Sequence, residues 1–421
     1  MTEKPARPWS TLAIIALGGT ASFCAYFAMY AFRKPFTAAT YDAPDDWTYA
    51  LNFKIALVIA QVIGYALSKA IGIKVIAELG RAGRGMAILG LVGTAWLALV
   101  AFAVAPTPLK VVALFANGLP LGLIWGLVFS YLEGRRTTEA LGAILCASFI
   151  LASGVVKSVG VWTMTALSVP DFWMPAATGA LFFPMLALSV YGLTLLPPPD
   201  AEDEALRMRR APMDAAARRS FVAEFGPGLV LLIAAYMLFT AFRDFRDNFA
   251  AELWTAMGRG SDASVFTLSE APVAVAALAA LAGLMWIKSN RTAFFVTHGL
   301  MAAGAAAIGI STFAFEAGMI DGLAWMIATG AGLYICYTPY NAVLFERLIA
   351  ASKRIGTAGF LIYLADTFGY VGSVALLLVK NFTALELDWL SFFKAGAYIC
   401  SGVSLAMVAA SAVYFRPRLP G

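Results

Sequence analysis

The chain has 421 residues, 61% hydrophobic and 13% charged, with a formal net charge of +5. A soluble protein carries about 25% charged residues, so this composition excludes a soluble globular domain. One histidine and four scattered cysteines exclude a metal centre built from those residues.

The apolar residues fall into blocks of about twenty, each long enough to cross roughly 30 Å of hydrocarbon as a helix. Spans are predicted at 11–35, 50–73, 85–105, 110–131, 140–167, 173–196, 222–251, 265–287, 292–315, 322–346, 355–379 and 390–414. Helices are expected because a lipid-embedded backbone has to satisfy its own hydrogen bonds, and the alternation of a membrane β-barrel is absent. The N-terminus lacks a small-residue cleavage site, so the first span is expected to be retained.

Basic residues collect at the termini and in the even loops: Lys4 and Arg7, then Lys74, Arg81 and Arg84, then Arg135 and Arg136, and later Lys288, Arg291, Arg347, Lys353 and Arg354. Odd loops carry acids such as Asp42, Asp45, Asp46, Asp171, Glu316 and Asp321. By the positive-inside rule both termini face the cytoplasm. The net charge reflects these loops and implies no nucleic-acid partner. Cys24, Cys146, Cys336 and Cys400 lie singly in different spans and read as small apolar residues.

Pro197–Ser220 is the longest polar stretch, with three consecutive prolines and five arginines, and reads as a cytoplasmic linker. It divides the chain into 1–196, a six-helix bundle, and 221–421, a second one. The halves echo each other. Tyr26, Ala31, Phe32 and Arg33 recur as Tyr236, Ala241, Phe242 and Arg243, at an offset of 210. Parallel six-helix repeats around a midplane site are the architecture of major facilitator transporters. The predicted fold class is therefore an all-α membrane protein of twelve transmembrane helices in two pseudo-symmetric bundles.

A charge at mid-helix costs roughly 2.5–3.5 kcal/mol on insertion scales and usually marks a pathway. The candidates are Arg33, Lys34, Lys69, Lys157, Arg243 and Arg246, with Asp244, Asp247, Glu270 and Asp366 as partners. Gly228 to Phe242 is too short to cross a bilayer, so the helix is expected to continue past Arg243 and carry it, with Arg246, to membrane depth. The repeat extends that expectation to Arg33. Two facing arginines suit bidentate binding of phosphate or carboxylate; the alternative is local pairing with acids at the helix ends. Lys34 is expected to close the outer side on Asp244, with Asp247 as competitor; solvated rim charges are the other reading. Lys157 and Asp366 are read as cavity-lining or as structural pairs. Glu270 reads as a proton carrier or a partner of Arg246. His298 reads as structural. Tyr30, Tyr334, Tyr337, Tyr340 and Asn341 read as cavity groups or as core. The glycines of spans four, five and eleven, Gly118 and Gly154 among them, read as close-packing positions.

YFAMYAFRKPFTAA (Tyr26–Ala39) resembles the first-helix segment of the organophosphate:phosphate antiporter family, which includes bacterial glycerol-3-phosphate and hexose-phosphate transporters. Ser68-Lys69 followed by Gly72, KRIGTAGF (Lys353–Phe360) and FGYVGSV (Phe368–Val374) resemble further segments of it. The resemblance implies that Arg33 and Arg243 grip phosphate, that Lys69 is a second pore cation, and that Lys34 pairs with an aspartate of span seven. Glu270 falls at that family's span-eight acid. A bacterial inner membrane is the expected location, and one chain, holding both halves, is expected to work without a second copy. The chain departs from the pattern at the span-five histidine, where Ser153 or Lys157 lies nearby. It departs also in the loop after span two, where only Glu78, Arg81 and Arg84 remain as a latch. Arg246 and Asp244 have no place in the family pattern, which marks a divergent branch.

The expected function is alternating-access transport of a small organic anion, a phosphate ester exchanged for inorganic phosphate, with no cofactor. The alternatives are a proton-coupled carrier using Glu270 or Asp366, and a non-transporting sensor of the same fold. An enzyme is not expected, since no nucleophile, histidine or metal-ligand constellation is present.

Overall fold

A backbone that crosses hydrocarbon satisfies its polar groups internally, and this chain does so with helices. The computed structural model describes residues 10–78, 81–135, 137–199, 203, 215–352, 358–382 and 387–419. The side chains of 70, 72–78, 81, 82, 139, 215–218, 359 and 360 lie outside that description. Most of the expected linker, the Glu78 and Arg81 side chains, the 353–357 part of the family-like loop and the basic residues Lys4, Arg7, Lys74 and Arg136 also fall outside it.

Among the described residues the long helices are α1 Thr11–Tyr30, α2 Phe53–Glu78, α3 Arg81–Val104, α4 Thr107–Leu121, α5 Thr138–Ala166 and α6 Met174–Thr194. The second set is α7 Ala215–Asn248, α8 Ser264–Met285, α9 Asn290–Glu316, α10 Gly322–Ala342, α11 Ala358–Phe382 and α12 Trp389–Phe415. Ten of these regions, α4 counted with its continuation, are long and apolar enough to cross a membrane by length and composition. The other two, α2 and α10, carry polar residues (Lys54, Gln61 and Lys69; Tyr334, Tyr337 and Asn341) that the fold turns inward.

Several expected spans differ in detail. α1 stops at Tyr30, not at 35: the Arg33 and Lys34 amides both return to the Tyr30 carbonyl, at 3.0 and 2.9 Å. Pro35, which lacks an N–H and disfavours helix before it, starts a short 3-10 turn, Pro35–Ala38. The fourth span breaks at Gly122 and Leu123 and resumes as Ile124–Phe129. The seventh is longer than expected, about 51 Å for its 34 residues, and a separate helix, Ala250–Ala256, follows Phe249. The tenth ends at Ala342, before Leu344–Ser352. Ser289, Asp321 and Asp388 cap α9, α10 and α12 by accepting from the amides of Thr292, Ala324 and Ser391.

The packing repeats with a shift of six helices. α1 lies on α5 and α6, α2 on α4, and α3 on α4 and α6; α7 lies on α11 and α12, α8 on α10, and α9 on α10 and α12. The two bundles meet along α5–α8 and α2–α11. Close approach is bought by small residues. A Cβ on Gly118 would run into the Gln61 carbonyl of α2. One on Gly154 of α5 would meet the Phe266 carbonyl and, at 2.8 Å, the Glu270 Cβ of α8. Twelve long helices in alternating direction bring the start of α1 and the end of α12 to one side, here the near side; the opposite is the far side.

Candidate functional site between the bundles

The helices shared by the two bundles carry a ladder of charged side chains, readable along α2 at about 1.5 Å per residue. At the far end, Lys54 reaches Glu252 Oε1 at 2.5 Å, with both side chains almost wholly buried (2% and 6% exposed). Lys54 also donates to the Thr37 carbonyl at 3.2 Å. One layer further in, Lys34 and Lys157 converge on the two carboxylate oxygens of Asp247. Lys34 also donates to Asn248 Oδ1 at 2.8 Å, Lys157 to the Asp247 carbonyl at 2.5 Å, and Ser153 to the Asp247 carboxylate. Beside them, the Ser158 and Thr267 hydroxyls meet at 2.7 Å across the α5–α8 seam.

Arg33 and Arg243 lie at the next level. The Arg33 guanidinium carbon sits 3.7 Å from the centre of the Tyr65 ring, roughly 18 Å along α2 from Phe53. The Arg243 carbon sits 3.8 Å from that of Tyr337, roughly 22 Å along α10 from Gly322. Each guanidinium therefore lies well inside the length of its partner helix, although Arg33 follows the last residue of α1. Gln61 holds the Arg33 carbonyl at 3.0 Å and Asn117 the Phe32 carbonyl at 2.9 Å, which anchor the unwound segment. Tyr30 is within electrostatic reach of both arginines. The repeat extends to the support: Tyr26 meets the Tyr65 hydroxyl at 3.3 Å, and Tyr236 stacks on Tyr337 with ring centres 5.2 Å apart.

The two arginines differ in their company. Arg243 pairs with Asp244 at 2.6 Å, and Asp244 accepts from Ser373 at 2.7 Å. Arg33 has no side-chain hydrogen bond or ion pair among the described residues, and its Nε is buried without a partner. On the near side of the two arginines, Lys69 of α2 pairs with Asp366 of α11 at 2.9 Å. Asp366 also accepts from Tyr236 at 2.5 Å, and Asn341 donates to the Tyr236 hydroxyl at 3.2 Å.

Of the residues singled out in the sequence, Tyr30, Arg33, Lys69, Arg243, Tyr337 and Asp366 come together between the bundles. Lys34 takes Asp247, not Asp244, because Asp244 faces α11 and Asp247, three residues on, faces α5. Lys157 lies buried beside Ser153 and pairs with Asp247, while Asp366 is taken by Lys69. Arg246 is likewise withdrawn: it pairs with Glu270 at 2.6 Å and donates to the Met326 carbonyl at 2.8 Å, tying α7 to α8 and α10. His298 is packed on Phe294 and lies 3.1 Å from the Ser411 hydroxyl. Tyr340 donates to the Leu232 carbonyl within the core. Lys54, Glu252, Tyr65 and Asn248 were not anticipated; Glu252 stands in an apolar run just past the predicted seventh span, which is the one signal the sequence offered.

A family profile described as "Family of unknown function (DUF5690)" matches residues 35–418. The chain belongs to this family. No curated protein matches the DUF5690 chain significantly. Among solved structures it is similar to a D-xylose-proton symporter, with 15% identity and a TM-score of 0.63 over 97% of this chain and 98% of that one. It is also similar to the peptide transporter POT in complex with alafosfalin, at 16% identity and a TM-score of 0.62 over 98% and 97%. The nucleoside transporter NupG matches at 14% identity and 0.60 over 96% and 99%. The DUF5690 chain thus has the major facilitator fold over nearly its whole length.

Proposed function

We propose that this chain is a secondary transporter that works by alternating access and carries a small organic anion, a phosphate ester exchanged for inorganic phosphate. The observation that carries the reading is Arg33. A guanidinium held between the bundles, laid over Tyr65 and lacking a side-chain hydrogen bond or ion pair among the described residues, is costly in a membrane unless a ligand completes it. Arg243 offers the second fork from the equivalent place in the other bundle, and planar guanidinium groups match tetrahedral oxyanions in bidentate fashion. The whole-length likeness to a sugar symporter, a peptide transporter and a nucleoside transporter supports transport as the activity.

In this reading the anion enters between Arg33 and Arg243 and draws the two bundles together. Far-side opening then requires the Lys34–Asp247 and Lys54–Glu252 contacts to separate. The bias of basic residues toward the near-side loops supports an orientation with both termini in the cytoplasm, and one chain, holding both halves, would suffice as the unit. Exchange is favoured over uniport, because an empty chamber with an uncompensated arginine should reorient slowly.

Uptake of radiolabelled phosphate into phosphate-loaded proteoliposomes tests this. Wild type should exchange, and Arg33→Ala and Arg243→Ala should each lose at least tenfold. A well-folded wild type that exchanges neither phosphate nor phosphate esters overturns the reading. Asp366 supports one competing account, since a carboxylate joining the two bundles at membrane depth also suits a proton site. Anion uptake driven by a pH gradient, without countersubstrate and abolished in Asp366→Asn, would favour it.

A further inference from the structure

Among the described residues the charges between the bundles do not balance. Lys69 has Asp366, Arg243 has Asp244, and Lys34 and Lys157 share the single carboxylate of Asp247. Arg33 has none. Lys54 and Arg246 are matched by Glu252 and Glu270 and add nothing. Among the described residues five cations therefore face three carboxylates, and two positive charges remain. One belongs to Arg33 in the chamber and the other to the lysine pair at the gate. They form one cluster: Lys34 lies within electrostatic reach of Arg33, Lys157, Asp244 and Asp247.

Resting on the anion-carrier reading, we propose that the chamber takes dianions, and that Lys157 is the residue that sets this valence by sharing Asp247 with Lys34. A monoanion would leave one buried charge uncompensated. A unit charge about 10 Å away, at the effective dielectric of such sites, is worth roughly tenfold in binding. A phosphate monoester near neutral pH carries about −1.5 to −2 and meets the requirement. Lys157 acts at a distance, as a positioning charge, and its own contacts explain why it can be removed without leaving an orphan. Asp247 keeps Lys34 and Ser153 when Lys157 becomes methionine.

The test uses matched anions on the purified full chain at pH 8 and constant ionic strength: methyl phosphate against dimethyl phosphate, and sulfate against methyl sulfate. Ligand affinity is read from the rise in unfolding temperature. Wild type is expected to bind each dianion about tenfold or more tightly than its monoanionic partner. Lys157→Met should lower that ratio about tenfold, Lys157→Arg should preserve it, and Asp366→Asn, which adds to the surplus, should raise it. Equal binding of the two members of each pair, or an unchanged ratio in Lys157→Met, overturns the valence assignment. Dianion binding without exchange in vesicles sinks the transport reading and leaves the valence standing. No response to any anion overturns both.

Discussion

Arg33 rests over the ring of Tyr65 at 3.7 Å, and a second arginine at an offset of 210 residues repeats the arrangement over Tyr337 at 3.8 Å. The ring covers one face of each guanidinium; the N–H edge of Arg33 has no partner among the described residues, whereas Arg243 gives one N–H to Asp244. Such a contact is worth about 0.5–2 kcal/mol. Tyr65→Leu and Tyr337→Leu should therefore each weaken anion binding between about twofold and thirtyfold. Tyr65→Phe keeps the ring and should cost much less. The apparent KM for phosphate exchange checks both expectations.

Lys54 and Glu252 form a pair from opposite bundles that is sealed from solvent, and Glu252 Oε2 has no further partner. Removing one member of a buried pair costs about 3–5 kcal/mol, because the other charge is left alone. Replacing both with apolar residues is often neutral. Lys54→Met and Glu252→Gln should each lower the unfolding temperature strongly, while Lys54→Met with Glu252→Leu should recover most of the loss. Thermal unfolding of the three variants in detergent decides this.

The Ser158 and Thr267 hydroxyls, 2.7 Å apart across the seam, mark where α5 and α8 have to part for the far side to open. With both residues changed to cysteine, oxidation should cross-link the bundles with the far side shut. Exchange should then stop and return on reduction. Free exchange by the fully oxidised protein would show that the seam does not open during transport.

Gly154 faces the Phe266 carbonyl and Glu270 Cβ so closely that any side chain displaces α8. Gly154→Val should hold the far side partly open. Labelling of a cysteine placed at Ser153 by a membrane-impermeant thiol reagent should then rise several-fold, with little change in total expression.

Much of the fold could be read from the sequence because hydropathy is a local property. A block of about twenty apolar residues crosses the membrane whatever its neighbours do, and a matched Tyr…Ala-Phe-Arg motif shows which helices correspond. The site was less accessible. Lys54 stands at the start of a span, where a snorkelling lysine is cheap, so its burial against Glu252 gave no advance sign. Tyr65 reads like any core aromatic until Arg33 is placed over it. The position of Arg33 between the bundles depended on the unwound turn before Pro35, held by Gln61 and Asn117 from two other helices.

The sequence by itself determined the twelve apolar blocks, the repeat and the set of misplaced charges, because each is a matter of composition or spacing along one chain. Tertiary structure decided how those charges pair. Asp244 and Asp247 are three residues apart, which on a helix turns one about 60° from the other. That rotation, set by the packing of α7 between α11 and the opposite bundle, gives Asp244 to Arg243 and Asp247 to Lys34 and Lys157, and leaves Arg33 without an ion pair among the described residues.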